Sequence, residues 1–157
     1  MAPWDHIALP RPDGDELEVT RVPAQHGPDG TTDITGEVTG FVPCFVPSGA
    51  GIPTISISGD NASLDVVRAV AGRFPRIDVA VPFAGAARSS LLDGYLTLTS
   101  DGAAEPPRSW AAPTVVPAHA EGWGHFTERI NEIVAAFTRH GLSDRLRVIA
   151  PGDTAAV

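Results

Sequence analysis

The chain has 157 residues, 43% of them hydrophobic, enough to bury one core, and it is read as a single domain over 1–157. With 11 basic and 19 acidic residues the net charge is −8, a sign that repels phosphate backbones and anionic headgroups and so excludes nucleic acid and membrane as partners. All 11 positive charges are arginine, which removes every mechanism that needs a lysine amine, and the lone Cys44 excludes an internal disulfide or thiolate cage and fits a reducing cytosol.

MAPWDHIALPRPDG lacks a basic region followed by an apolar stretch, and no run approaches the ~18 apolar residues of a membrane span, so a cytoplasmic protein is expected. Residues 5–9, DHIAL, and 16–22, ELEVTRV, flank the turn-forming PRPDGD and read as a hairpin, with Trp4 expected as a core anchor. AQHGPDGTTD follows as a polar loop. Residues 37–46, EVTGFVPCFV, and 53–58, PTISIS, read as strands joined by the turn PSGAG. Pro43 limits the first to an edge or bulged position, and Cys44 is expected as a small core residue on it.

Leu64, Val67, Val70 or Ala71, and Phe74 recur at helical spacing, with Ser63 placed to cap, Asp65 in the first turn and Pro75 as the stop. IDVAVPF, 77–83, is a nearly continuous apolar run and reads as a buried strand, which completes a βαβ unit. From Ala84 to Ala112 a loop-rich connection is expected, holding a short strand YLTLT and ending any helix at Pro106 and Pro107. TVVPA, 114–118, is another buried strand. Phe126, Ile130, Ile133, Val134 and Phe137 mark one face of a helix that Gly141 stops, and LRVIA, 146–150, is expected to close the sheet. The pattern is mixed α/β.

Three of these strands end in residues able to hold a metal: VTRVPAQ in His26, TISISG in Asp60 and TVVPA in His119. Strand ends on one sheet edge converge in space, and two imidazoles with a carboxylate suit zinc or a comparable first-row metal in a hydrolytic site. Each also has an ordinary reading: His26 as a turn residue before Gly27-Pro28, Asp60 as a helix cap, His119 as a core hydrogen-bonding group. Glu121, Trp123 and His125 follow His119 and could line a substrate mouth, although Trp123 equally suits packing and His125 a helix start. Phe83, Ala84 and Gly85 suit a pocket wall or packing. There is no GxSxG elbow, GAGIPT lacks the third glycine of a dinucleotide loop, and His125 with Glu128 is a single i, i+3 pair.

AQHGP after a strand, SGDN after a strand with a helix following, and PAHAEGWGHF before an amphipathic helix together resemble the metallo-β-lactamase superfamily of hydrolases, in particular its lactonase-like branch. The resemblance runs in order over nearly the whole chain. It implies a four-layer αββα sandwich with a two-metal site at one edge of the paired sheets. It assigns His26 to the first metal, Asp60 as the bridge between both and His119 to the second, with zinc the expected metal and manganese or iron compatible. A carboxylate between two dications offsets their charge and leaves a shared water as nucleophile.

The family's HxHxDH signature lies upstream of the histidine that His26 matches, and no such stretch occurs between Met1 and His26. The chain is therefore expected to be the C-terminal half of the sandwich, a mixed sheet with helices on one face. With one histidine and a shared aspartate per metal it is expected to bind metal weakly and catalyse poorly. It is also expected to expose the sheet face that the other half covers, which favours self-association. The function implied is metal-dependent hydrolysis of an ester, lactone or phosphoester in a small molecule; the alternative is a non-catalytic remnant or binding module.

Overall fold

The alternating residues near the N-terminus form a hairpin of β1 (His6–Pro10) and β2 (Glu16–Pro23), with Ile7 opposite Val19 and Leu9 opposite Leu17. The structure is a computed structural model that describes residues 2–12, 14–46, 53–105 and 112–156. β3 (Thr39–Val46) runs antiparallel to β2, β4 (Ile55–Ile57) antiparallel to β3, and β5 (Val79–Val81) and β6 (Thr114–Val115) continue in parallel, giving one sheet in the order β1-β2-β3-β4-β5-β6. Pro43 is tolerated inside β3 because the pairing with β4 is made at Phe41↔Ile57, so the proline faces a full ladder only on the β2 side, opposite Val19. The expected turn PSGAG and the prolines at 106 and 107 lie outside the described residues.

Four helices are described: α1 (Thr32–Thr35), α2 (Leu64–Arg73), α3 (Ser100–Ala103) and α4 (Ile130–Arg139). α2 begins where the sequence predicts, with the Ser63 hydroxyl accepting from Val66 N, and it buries Val67 and Val70. Replacing Ser63 with alanine is expected to lower unfolding free energy by about 1 kcal/mol in a denaturant titration, since that amide loses its acceptor. α4 buries Ile133, Ala136 and Phe137, and Gly141 follows it at φ +69°. Arg139 and His140 at the end of α4 both bond Asp101 of α3, at 2.8 and 2.9 Å, and these two bonds hold the Asp101 carboxyl below its usual range.

Register fixes which sheet residues share a face. Val22, Val42, Ser56, Ala80 and Val115 point the same way and are buried with Val67, Val70, Ile133 and Phe137, so the helices cover that face. The opposite face carries Ile7, Leu9, Leu17, Val19, Phe41, Ile57 and Val81. Of these Ile7 is 45% exposed, Leu9 44% and Phe41 39%, apolar side chains left in contact with solvent on a face where Arg21 stands opposite Phe41.

Several local expectations change. YLTLT is not a strand: it runs alongside 86–87 through Ala86 N to Leu98 O and Leu96 N to Ala87 O, but the Thr97 hydroxyl takes the Ala87 amide in place of a backbone carbonyl and breaks the ladder. LRVIA does not close the sheet as a strand; only Leu146 bridges Val115, because Arg145 and Arg147 supply the two backbone bonds and the chain then leaves. Phe126 lies outside α4 and packs on His119 instead. Cys44 is half-buried on β3 rather than in the core, and burial and the neighbouring Glu18 push its thiol up, away from the reactive thiolate. Trp4 packs against the core as expected, with the Arg73 guanidinium 5.8 Å from its ring centre. No described helix is long and apolar enough to cross a membrane.

Candidate metal centre

β4 and β6 deliver Asp60 and His119 to the same point. After β4, Ser58 N donates to Val81 O at 3.1 Å and the Ser58 hydroxyl accepts from Phe83 N at 2.9 Å, which ties the exit of β4 to that of β5. The chain then turns at Gly59, φ +61°, where a side chain would drive into the Thr39 carbonyl, so only glycine can place Asp60 here. Beyond β6, Ala118 N donates to Pro82 O at 2.9 Å and Ala84 N to Ala118 O at 3.1 Å, and the chain turns at His119 itself, which sits at φ +54°. A histidine tolerates that left-handed conformation better than most residues, at a cost of about 1–3 kcal/mol that its surroundings must offset. Those surroundings are Phe83, with its ring centre 5.1 Å from the imidazole, and Phe126 at 4.8 Å in an edge-on arrangement.

His119 Nδ1 and Asp60 Oδ1 stand 2.9 Å apart, yet neither has a hydrogen-bond partner and both atoms are buried. The distance alone would suit a charge-assisted hydrogen bond; direction decides against it, because a hydrogen on Nδ1 in the ring plane does not point at the carboxylate. Two buried polar atoms left unsatisfied side by side in this way cost about 1–3 kcal/mol each unless a third partner satisfies both. A cation does so. The donor set, one imidazole nitrogen and one carboxylate oxygen, fits such an ion.

The ordinary readings of these two residues do not hold. Asp60 does not cap α2, since Ser63 does, and His119 Nδ1 makes no core hydrogen bond among the described residues. His26 differs. It is tethered close by, because its neighbour Gln25 donates its amide to Asn61 Oδ1 at 3.1 Å and accepts at its carbonyl from Ala62 N at 2.8 Å. Its own Nδ1 lies 3.4 Å from Thr35 O, and it lines a cavity of about 400 Å³ with Arg21, Gln25, Thr32 and Thr39. Among the described residues no three histidine, cysteine or acidic side chains are grouped closely enough to hold a metal, so the structure joins Asp60 with His119 and leaves His26 at the neighbouring loop.

Glu121, Trp123 and His125 are all exposed on the loop after His119, with Trp123 60% exposed. The Trp123 ring lies 5.8 Å from that of His125, which in turn lies 4.8 Å from Phe126, so an aromatic chain leads from solvent to the ring that flanks His119. Trp123 is therefore not core packing, and His125 precedes α4 by several residues rather than starting it. Two further residues support the site, one quoted only within SGDN by sequence reasoning and the other read as pocket wall or packing. Asn61, 1% exposed, anchors Gln25 and also donates from Nδ2 to Ser63 O at 2.8 Å. Gly85 lets the chain pass under His119: a Cβ there would sit 2.5 Å from His119 O and 2.7 Å from Phe126. A polar residue between Asp60 and the helix cap was the available signal for the first; the second was read as pocket wall or packing, and the close approach of His119 and Phe126 shows it to be a packing position beside the site.

No family model matches the chain, and no curated protein matches it. Solved structures do. The chain is similar to an isothiocyanate hydrolase from Delia radicum gut bacteria, with TM-score 0.80 and 22% identity over 96% of this chain and 57% of that one. A possible metal-dependent hydrolase from Veillonella parvula also matches at TM-score 0.80, with 13% identity over 96% and 56%. The metallo-beta-lactamase fold protein YhfI from Bacillus subtilis matches at 0.60, with 11% identity over 94% and 51%. The chain thus spans a little over half the length of these structures.

Proposed function

The chain has the fold of about half of a metallo-β-lactamase-type protein, and on that premise we propose that it carries one side of a metal-dependent hydrolase site, in which Asp60, His119 and His26 are ligands. The observation that carries this reading is the pair of buried, unsatisfied atoms, Asp60 Oδ1 and His119 Nδ1, 2.9 Å apart. Zinc is the metal proposed, with manganese and iron compatible; when bound, such an ion acidifies a water for attack on an ester, lactone or phosphoester of a small molecule. Asp60 offers its carboxylate to the ion and, through its second oxygen, an acceptor that can orient the water. His119 is held in one rotamer by Phe83 and Phe126, so its nitrogen needs little reorganisation on binding. On this reading the loop from Glu121 to His125 lines the substrate entry, with Trp123 as its apolar contact, which its exposure supports.

Zinc titrated into chelator-treated protein is expected to shift the His119 and Phe126 side-chain resonances saturably and to raise the melting temperature, both reversed by EDTA. Shifts confined to the surface pairs His6–Glu18 and His140–Asp101 would sink the reading, because zinc would then be finding exposed side chains rather than the buried pair.

The second reading, a binding module without catalysis, is favoured by the solvent-exposed side chains of Ile7, Leu9 and Phe41. Exposed apolar sheet faces associate. Sedimentation is expected to show concentration-dependent self-association of the chain, and the double substitution Ile7→Glu and Leu9→Glu is expected to shift it toward monomer. A monomer at every concentration would remove these side chains as an interaction surface.

A further inference from the structure

The two edges of the sheet end differently. Beyond β6 the backbone of Val115 is taken by the segment that follows α4: its amide donates to Arg145 O at 2.8 Å and its carbonyl accepts from Arg147 N at 2.8 Å. β1 is the other edge, and all its residues, His6–Pro10, are exposed. Which of its backbone groups look outward follows from the bonds at the two ends of the hairpin, where Arg21 N donates to Asp5 O at 2.8 Å and Arg11 N to Asp15 O at 2.9 Å. Hydrogen-bonded pairs in an antiparallel ladder recur at every second residue, so with Ile7 opposite Val19 and Leu9 opposite Leu17 it is the odd-numbered residues that bond β2. The amides and carbonyls of His6 and Ala8 and the carbonyl of Pro10 therefore face away from β2, and no backbone bond from the described residues reaches them. Pro10 stands at one of these outward positions, where its missing N–H costs the hairpin nothing.

This edge is complementary to itself. With two copies of β1 antiparallel about Ala8, each Ala8 amide meets the Ala8 carbonyl of the second copy and each His6 amide meets its Pro10 carbonyl, so every outward donor finds an acceptor. The same register sets Ile7 opposite Leu9 of the second copy on both sides of the axis, joining side chains that are 45% and 44% exposed in one copy alone. These are non-hydrogen-bonded positions, where facing Cα atoms are about 4.5 Å apart and side chains pack closest. No like charges meet, since Asp5 falls opposite Arg11. Sliding the register by two residues either way sets Leu9 against Asp5 or Ile7 against Arg11, so the apolar pairs select the arrangement centred on Ala8.

We propose that β1 takes β1 of a second copy of this chain, joining two sheets edge to edge about a two-fold axis at Ala8. The proposal rests on the self-association reading above and deepens it by naming the strand that meets its twin. Each copy spends its open edge on the other, so assembly stops at the dimer. The net charge of −8 on each copy opposes the union, and association is expected to tighten as sodium chloride screens it.

The test sediments the full 157-residue chain over a range of concentrations and follows its amide hydrogen exchange by NMR at the same concentrations. A dimer and nothing larger is expected. Where it prevails, the His6 and Ala8 amides are expected to exchange about tenfold more slowly or slower still, and the Ile7 and Leu9 amides, already bonded to β2, to change much less. Ala8→Pro removes the central outward donor, leaves the bonds to β2 in place and is expected to weaken dimerisation about tenfold or more. Phe41→Ser, on the same face but on β3, is expected to leave the dimer within about twofold of the parent. If Ala8→Pro fails to fold, the exchange pattern of the parent decides. Unprotected His6 and Ala8 amides in associated protein, or association that survives Ala8→Pro and is lost in Phe41→Ser, would overturn edge pairing and keep the apolar face as the contact. A monomer at every concentration would remove both.

Discussion

Asp60→Ala is expected to do two opposite things: weaken zinc binding by about 100-fold or more, and leave the metal-free protein as stable as before or more stable, by up to about 1 kcal/mol. The first follows from ligand loss, since removal of a mere outer partner of a metal ligand already costs about 10–100-fold. The second follows from the buried Oδ1 that has no hydrogen-bond partner. An unsatisfied polar atom opposes folding, and deleting it relieves that cost, reduced here because the side chain is 30% exposed. A purely structural aspartate would give the other sign in the metal-free protein. Thermal unfolding with and without zinc reads both effects at once: at a hundred times its dissociation constant zinc stabilises the native state by about 2.7 kcal/mol, and that gain should vanish in the variant. A metal-free Asp60→Ala protein that melts well below the parent, with the zinc gain intact, would mean that Asp60 holds the fold rather than a cation.

Gly85→Ala is expected to cost about 3 kcal/mol and to remove the zinc response together with the stability. Its Cβ would lie 2.5 Å from the His119 carbonyl and 2.7 Å from the Phe126 ring, and neither neighbour is the free end of a flexible side chain. The His119 backbone is already at φ +54°, a conformation with few alternatives, so it cannot retreat without turning its imidazole out of line with Asp60. Thr127 and Glu128 also donate their amides to Gly85 O, so a shift of residue 85 moves the approach to α4 as well. Denaturant unfolding measures the first effect and zinc titration the second. A variant that loses stability but binds zinc with parental affinity would separate His119 placement from the packing under it.

The sequence carried the elements whose signals are local. β1 and β2 alternate, α2 has its serine cap and helical spacing, and β4, β5 and β6 are short apolar runs, so all were legible, and so was the edge at which Asp60 and His119 meet. What was not legible depends on tertiary contact. YLTLT has the composition of a strand, but the Thr97 hydroxyl occupies a backbone amide that a ladder would need, and only the fold shows this. Phe126 continues the helical spacing of 130–137, yet it belongs to the wall around His119 because the imidazole offers it an edge-on partner. For His26 the strand-end pattern could not give a side-chain direction; the turn at Gly27 and the Thr35 carbonyl set that, and they turn the ring toward the cavity with Arg21.

The spatial order of the six strands repeats their order along the chain, so every rung joins consecutive strands, but the distances involved are unequal. β1, β2 and β3 form a meander of near neighbours, whereas the β4–β5 and β5–β6 pairings must close over a helix and over the long segment before residue 114. Loop-closure entropy is expected to make the first three the early event of folding and the exits of β4 and β6, which carry Asp60 and His119, the late one. On the proposed reading, a cation held between Asp60 and His119 would then act after the rate-limiting step. Its grip would slow the escape of the native chain without hastening its formation, so a bound metal would be a latch on a finished fold rather than a seed for it.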